Sequence, residues 1–558
     1  MAKTKIRVGD KIIKLREERQ LFARFLVIQQ SRPDLVPKLS ATIGEFEMVV
    51  VPRSMFANDG SLLVCKEKYN LMTMVEAATR QPSNDSSASE NDGDDQPQSS
   101  DGVLPVVVQQ PLCRVLIIDA MATLQGIKKS PGMTAIRHLK ETFVKKIMNM
   151  SRRYDEVRVL FDYYREDSLK SKTRASRATS VAASKASYDV NDQMCIKSLS
   201  LKELLSSSHT KNGLTKLLSE AILKHNEGSS KKYVVSYHQC TTVNVPHTID
   251  DEFKEHSHEE ADTLIPLHVL DSLKESTAKE VHVRCSDTDV FILLMDLASK
   301  GHLGALSKLV MLAGTGAKYR EIDIKERVAA IGSEKASGLI GLHNFTGADW
   351  GGKFVGISKT TWAKTYLSLD AADEIVNTFA SLGQLDVSAM QVIDSKLPVE
   401  LVALERFVCA TYAPSGSSTL SSLRWELFQS RNLEGELLPP TVGTLFPHIQ
   451  RTNFICMRDK SYTAPRPILP NLENNGWNLR EDGTGYEPVR CIKPPAPCAV
   501  LELVKCGCRK SCSGNCSCLK NNLPCTPLCK CFAWGCNRYS SNQGSNDDDN
   551  DENEDDTK

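Results

Sequence analysis

Nine of the chain's 18 cysteines lie in one short stretch: Cys506, Cys508, Cys512, Cys516, Cys518, Cys525, Cys529, Cys531 and Cys536. The residues between them are too rarely apolar to build a core, so something else must hold the segment together. Thiolate-bound zinc does this, with ligand binding and folding as one process. Three tetrahedral ions need about twelve ligand positions, so nine sulfurs suffice only if some bridge two metals; the C-x-C pairs bring sulfurs close enough for that. The competing readings are a disulfide knot and a metal store. The start, MAKTKIRVGDKIIK, has no apolar stretch of the secretory kind, which disfavours the knot. Lys505, Arg509, Lys510, Lys520, Lys530 and Arg538 surround the cysteines with no acid among them. Their charge outweighs that of nine thiolates on three zinc ions, which suits contact with phosphates.

A second set is acidic. Asp119 follows the apolar run VLII, Asp162 follows VRVLF, Asp287 and Asp289 follow VHVRCS, and Asp349 follows a glycine-containing turn. Acids at the carboxyl ends of strands line the ligand crevice of open α/β sheets. Gathered there, they repel one another unless a hard divalent cation neutralises them, and oxygen-only ligands suit magnesium or manganese. Two such ions about 4 Å apart can activate water and stabilise a leaving oxygen. Asp287 and Asp289 are two apart, so on an extended strand they share a face. The competing reading is that these acids cap helices or sit in solvated turns. Arg165, Lys170, Lys172, Arg174 and Arg177 follow the second acid on a helical stretch and read either as a phosphate grip or as a solvated face.

Strands must carry these acids to one edge. CRVLIIDA, YDEVRVLF, KKYVVSYH, KEVHVRC and LSKLVMLAG read as strands. The helical stretches TAIRHLKETFVKKIMNM, 165–227 and HEEADTLIPLHVLDSL fall between them. The alternation predicts an α/β fold with a mostly parallel sheet flanked by helices. Residues 111–400 form this domain. Before it lie an N-terminal module over 1–80, with a strand at EFEMVVVP, and an acidic low-complexity linker over 81–110. After it come a helical and irregular extension over 401–490, with a hairpin signal at Asp482 and Gly483, a cysteine module over 491–540, and an acidic tail over 541–558. Lys and Arg balance Asp and Glu at 69 each, and no apolar run approaches a membrane span.

In order, IDAM, LFDYY, EEAD, SDTD and FTGADWGGKFVGISK resemble the acidic motifs of the flap-endonuclease branch of the PIN-like nucleases, over roughly residues 113–367. The resemblance implies that Asp119, Asp162, Glu260, Asp262, Asp287, Asp289 and Asp349 hold two catalytic Mg²⁺ or Mn²⁺ ions. It favours Glu260 with Asp262, whereas helical spacing pairs Asp262 with Glu259, and both remain open. It also makes the basic run, with Lys170, Arg174 and Arg177, the counterpart of a helical arch over the scissile phosphate. The chain departs from the family in two places. More than a hundred residues precede Asp119, where flap endonucleases use a free amino terminus, and GGKFVGISKTTWAK is a degenerate phosphate-binding loop.

The cysteine frame resembles the tesmin-type CXC domain, including C-x-C-x6-C-x3-C-x-C and the final Cys536-Asn537. Three residues rather than four follow its first C-x-C, and the gap before Cys536 is longer. The resemblance implies a structural cluster of three zinc ions and DNA binding; the positive charge of the segment makes Lys505, Arg509 and Lys510 its candidate phosphate contacts. The tyrosine that family places in the minor groove has no counterpart between Cys508 and Cys518. Together the two resemblances imply a metal-dependent nuclease with a zinc-cluster grip on nucleic acid, DNA rather than RNA, acting in the nucleus and away from membranes. The alternative is a non-catalytic DNA-binding or chromatin protein, or one derived from a mobile element, that keeps the fold as a scaffold.

Overall fold

A computed structural model of the chain describes residues 5–8, 11–14, 21–78, 113–163, 187–275, 278–304, 306–349, 351–413, 416–431, 438–480, 482–483, 485–502, 506–509, 512, 515–520, 525, 529–531 and 536. The chain divides into two compact units. One gathers residues 1–54, 417–445 and 490–558; the other comprises 55–416 and 446–489.

The second unit is built on seven strands, of which the inner ones are apolar runs that demand cover on both faces. They are β1 (Cys113–Asp119), β2 (Glu156–Leu160), β3 (Lys232–Tyr237), β4 (Cys240–Val243), β5 (Ala278–Arg284), β6 (Lys308–Ala313) and β7 (Arg320–Asp323). Their order in the sheet is β4-β3-β2-β1-β5-β6-β7. The central pairs run parallel, and the two edge strands β4 and β7 run antiparallel. This is the α/β architecture the alternation predicts. The chain works outward from β1 to β3 and then returns to lay β5 on the other side of β1. Such a reversal opens a crevice at the carboxyl ends of the two strands.

The same unit carries helices α1 (Tyr69–Glu76), α2 (Ala120–Gln125), α3 (Ile136–Ser151), α4 (Ser208–His225), α5 (Ala261–Glu275), α6 (Thr288–Ser299), α7 (Ile324–Ile331) and α8 (Ser333–Phe345), with α1 and α8 packed on α6. Leu116, Ile118, Val157 and Val159 pack with Ile136, Leu139, Phe143 and Ile147 of α3 and with Leu214, Leu218 and Ile222 of α4. Helix α5 packs against β1, β2 and β5. Within β2, Arg158 is fully buried; Glu156 and Asp271 each lie 2.5 Å from its guanidinium.

Two local expectations fail. Residues 187–200 are irregular, and the only long helix among the described residues of 165–227 is α4. EFEMVVVP forms no strand: the backbone at Met48 has φ of 57°, which breaks an extended ladder. The side chains there are buried singly instead. Glu47 accepts hydrogen bonds from Thr441 and Thr444, at 2.7–2.9 Å, and pairs with the buried Arg424 at 3.6 Å. These contacts belong to the first unit. The described residues of the cysteine module include two short helices, Cys498–Glu502 and Ser517–Lys520. No helix among the described residues is long and apolar enough to cross a membrane.

Candidate metal centres

The acids meet where the strand order reverses. Asp119 ends β1 and caps α2, its Oδ1 accepting from the Ala122 N–H at 2.9 Å. In register, Asp119 pairs with Leu160 on β2, and its neighbour Ile118 pairs with Arg284 at the end of β5. The acids beyond Leu160 and Arg284 therefore flank it. Asp162 lies two residues past β2, and its Oδ1 accepts from the Ala261 N–H at 2.8 Å. That bond ties the first turn of α5, with Glu260 and Asp262, to the same edge. Asp287 caps α6, accepting from the Asp289 N–H at 3.0 Å, so the two acids share the first turn of a helix rather than one face of a strand. The capping reading and the site reading thus apply to the same residues.

Ligand atoms of Asp262, Asp287 and Asp289 all lie within 4.8 Å of one another. Oxygens on either side of an ion with bonds of about 2.1 Å stand about 4 Å apart, so this triad has the spacing and the chemistry to hold a divalent cation. Burial, then the neighbouring Asp162 and Asp287 carboxylates, push the Asp119 carboxyl up to about 6. Asp349 comes from the loop after α8, where Gly347 has φ of +112° and a Cβ there would stand 2.7 Å from that of Lys353. Both Glu259 and Glu260 line a cavity of about 480 Å³ beside the triad, with Asp262, Asp289 and Asp349. Arg458, ion-paired with Asp459, lines it as well.

Four groups in this site were not singled out from the sequence. The Lys68 ammonium lies 3.2 Å from Asp287 Oδ1, 3.0 Å from Asp289 Oδ2 and 3.6 Å from Asp349 Oδ2. Burial alone would lower its pKa, but these carboxylates and Asp262 outweigh burial and raise it. His343 Nε2 lies 2.8 Å from Asp289 Oδ1. Burial and the nearby Lys359 lower the imidazole pKa, so the ring is neutral and donates its Nε2–H to the carboxylate. The buried Cys285 thiol donates to Asp119 Oδ2 at 3.5 Å. Arg458 is the fourth. Lys68 follows no apolar run and stands at the N-cap of α1. Lys359, in the loop compared with a phosphate grip, is buried and donates to the carbonyls of His343 and Gly347 at 2.7 and 2.8 Å. It therefore supports the loop from inside. His256 and His258 are also structural, bonded to Ser236, Thr263 and the Ala464 carbonyl.

All nine cysteines of the C-terminal frame are described, and none of them is joined in a disulfide. Sulfur pairs stand 3.4 Å apart at Cys506–Cys531, 3.5 Å at Cys512–Cys525 and Cys518–Cys529, and 3.6 Å at Cys536–Cys512. Three overlapping four-thiol groups have the spacing to hold a metal: Cys506, Cys516, Cys518 and Cys525; Cys506, Cys512, Cys525 and Cys531; Cys506, Cys508, Cys512 and Cys516. Tetrahedral thiolate sets of this kind suit zinc. Cys529 and Cys536 stand outside these groups but touch Cys518 and Cys512. Arg509 is exposed, whereas Lys170, Arg174, Arg177, Lys505 and Lys510 lie outside the described residues.

No protein-family model and no curated protein matches the chain.

Proposed function

We propose that the chain is a metal-dependent nuclease that hydrolyses phosphodiester bonds of nucleic acid, DNA in preference to RNA, in the nucleus. The observation that carries this reading is the convergence of the Asp262, Asp287 and Asp289 ligand atoms within 4.8 Å, at the carboxyl edge of a parallel sheet and beside a cavity. The ordered acidic motifs resembling PIN-like nucleases support it.

Asp262, Asp287 and Asp289 would hold a Mg²⁺ or Mn²⁺ ion, with Asp119, Asp162, Glu260 and Asp349 around it as ligands to this ion or a second. A bound divalent ion supplies positive charge for the phosphate and lowers the pKa of a water. The water oxygen bonds to phosphorus, the bond from phosphorus to the 3′ oxygen breaks, and that oxygen leaves with a proton. His343 and the N–H groups of Ala122, Ala261 and Asp289 hold the carboxylates in place, so little reorganisation accompanies the reaction. The cysteine module, with three zinc ions shared among its nine thiolates, would be a structural grip on the nucleic-acid backbone through Arg509 and its basic neighbours.

One observation favours the non-catalytic alternative: Lys68 already neutralises part of the acidic cluster. A DNA-binding or mobile-element-derived protein could retain the fold in that state. The two readings separate when the purified chain is incubated with labelled flap, hairpin and single-stranded substrates and Mg²⁺ or Mn²⁺. The nuclease reading expects cleavage that Asp287→Asn with Asp289→Asn reduces by at least roughly a thousandfold, the order expected when electrostatic stabilisation is removed. Cleavage that persists in the double variant would place the activity elsewhere.

A further inference from the structure

The Lys68 ammonium is held in the acidic cluster from both sides of its backbone. After it, α1 buries Leu71, Met72 and Val75. At its end the Glu76 carboxylate takes two hydrogen bonds from Arg320, at 2.7 and 2.8 Å, and its carbonyl one from Arg327 at 2.9 Å. Before it, Met55 and Phe56 are buried, and the Leu63 carbonyl accepts from the Lys353 N–H at 3.0 Å. Gly347 and Gly352 close against Cys65 and Leu62. The segment that carries Lys68 and the loop that carries Asp349 are therefore interlocked, and the ammonium is delivered to Asp287, Asp289 and Asp349 by packing. This differs from an exposed ion pair, whose long side chains are free to separate.

Two divalent ions about 4 Å apart have to share carboxylates. Here the ammonium already takes one oxygen each of Asp287 and Asp289, two of the three acids in the metal-spaced triad. Its three N–H donors are matched by three carboxylates. We propose that Lys68 is the resident second cation of this site: the cluster takes one divalent ion, and the lysine supplies the charge that another would bring. This rests on the reading of the acidic cluster as a metal centre, but needs no assumption about substrate.

Counting ions tests it. The full-length, zinc-loaded chain is titrated with Mn²⁺, and free Mn²⁺ is followed by its electron paramagnetic resonance signal. The native chain and Lys68→Arg are expected to bind one Mn²⁺. Lys68→Met keeps the stem but removes the charge, and is expected to bind two. Two ions on the native chain overturn the proposal, and this outcome needs no variant to fold. A folded Lys68→Met chain that still binds a single ion overturns it too. If the native chain binds none, the metal centre itself is refuted and this inference with it. If it binds one but cleaves nothing, the count supports Lys68 while the nuclease reading fails.

Discussion

His343 Nε2 lies 2.8 Å from Asp289 Oδ1, and this buried, neutral imidazole fixes one oxygen of a carboxylate whose other oxygen faces Lys68. Hydrogen bonds of this outer kind orient a ligand before the ion arrives, and losing one costs roughly 10–100-fold in metal affinity. His343→Ala is expected to weaken Mn²⁺ binding by that factor without changing the number of ions bound. His343→Gln, which retains a donor, should recover part of the loss. Unchanged affinity in the alanine variant, measured by Mn²⁺ titration of folded protein, would remove His343 from the site.

Asp119 predicts an opposite pH response with and without metal. Burial, followed by repulsion from Asp162 and Asp287, raises its carboxyl to about 6 from the model-compound value of 3.8. Between these values the folded chain binds the proton more tightly than the unfolded chain. Its contribution to stability is therefore present at low pH and is lost as pH rises through about 6. A bound divalent ion needs the carboxylate, so Mn²⁺ affinity should fall as pH drops below about 6, by up to roughly tenfold per unit. Thermal melts from pH 4 to 7, comparing the native chain with Asp119→Asn and adding no Mn²⁺, should show the extra loss of stability only in the native chain. Identical profiles would mean that Asp119 is not perturbed in the fold.

Much of this arrangement can be read from local pattern, and the unread part is what depends on contacts distant in sequence. The runs VLII, VRVL and VHVR announce buried parallel strands, and the acids after them mark the sheet edge. Asp482 and Gly483 correctly announce a hairpin, since Trp477–Leu479 pairs antiparallel with Tyr486–Pro488. Asp287 and Asp289 were close for the wrong reason: a helix begins at Thr288, so capping rather than strand alternation joins them. Lys68 sits 221 residues from Asp289, at the N-cap of a short helix and with no distinguishing spacing, so no window of sequence can reveal its partner. EFEMVVVP has the composition of a strand, but tertiary burial of Glu47 against Thr441 and Thr444 overrides that propensity.

Arg158 makes the clearest stability prediction. It is fully buried in the middle of β2, held by Glu156 and Asp271, with His268 Nδ1 at 3.4 Å. Arg158→Ala leaves two buried carboxylates without their cation, a change that costs roughly 3–5 kcal/mol when one member of a buried pair is removed. Urea unfolding is expected to show a loss of this size. Replacing Arg158, Glu156 and Asp271 together by apolar residues of similar volume should restore most of it, because the cost lies in the orphaned charge. A small loss in Arg158→Ala, with the triple variant no better, would show that water reaches this layer of the sheet.

The cysteine cluster makes a prediction about rank among its ligands. Cys506 belongs to all three four-thiol groups, Cys512, Cys516 and Cys525 to two each, and Cys529 and Cys536 to none. With zinc in these groups, a sulfur common to several of them would bridge ions, and losing it should release more than one. A peripheral sulfur should cost at most one. Burial, followed by the neighbouring thiols, raises the pKa of Cys518 and Cys525, so these sulfurs ionise fully only when metal binds. On the full chain, total zinc and zinc released by thiol modification are expected to fall by more than one ion in Cys506→Ser and by no more than one in Cys536→Ser. Acidification should strip zinc from the native chain with release of metal and uptake of protons. If Cys506→Ser and Cys536→Ser lose the same amount of zinc, the sulfurs are equivalent and Cys506 is not a bridge.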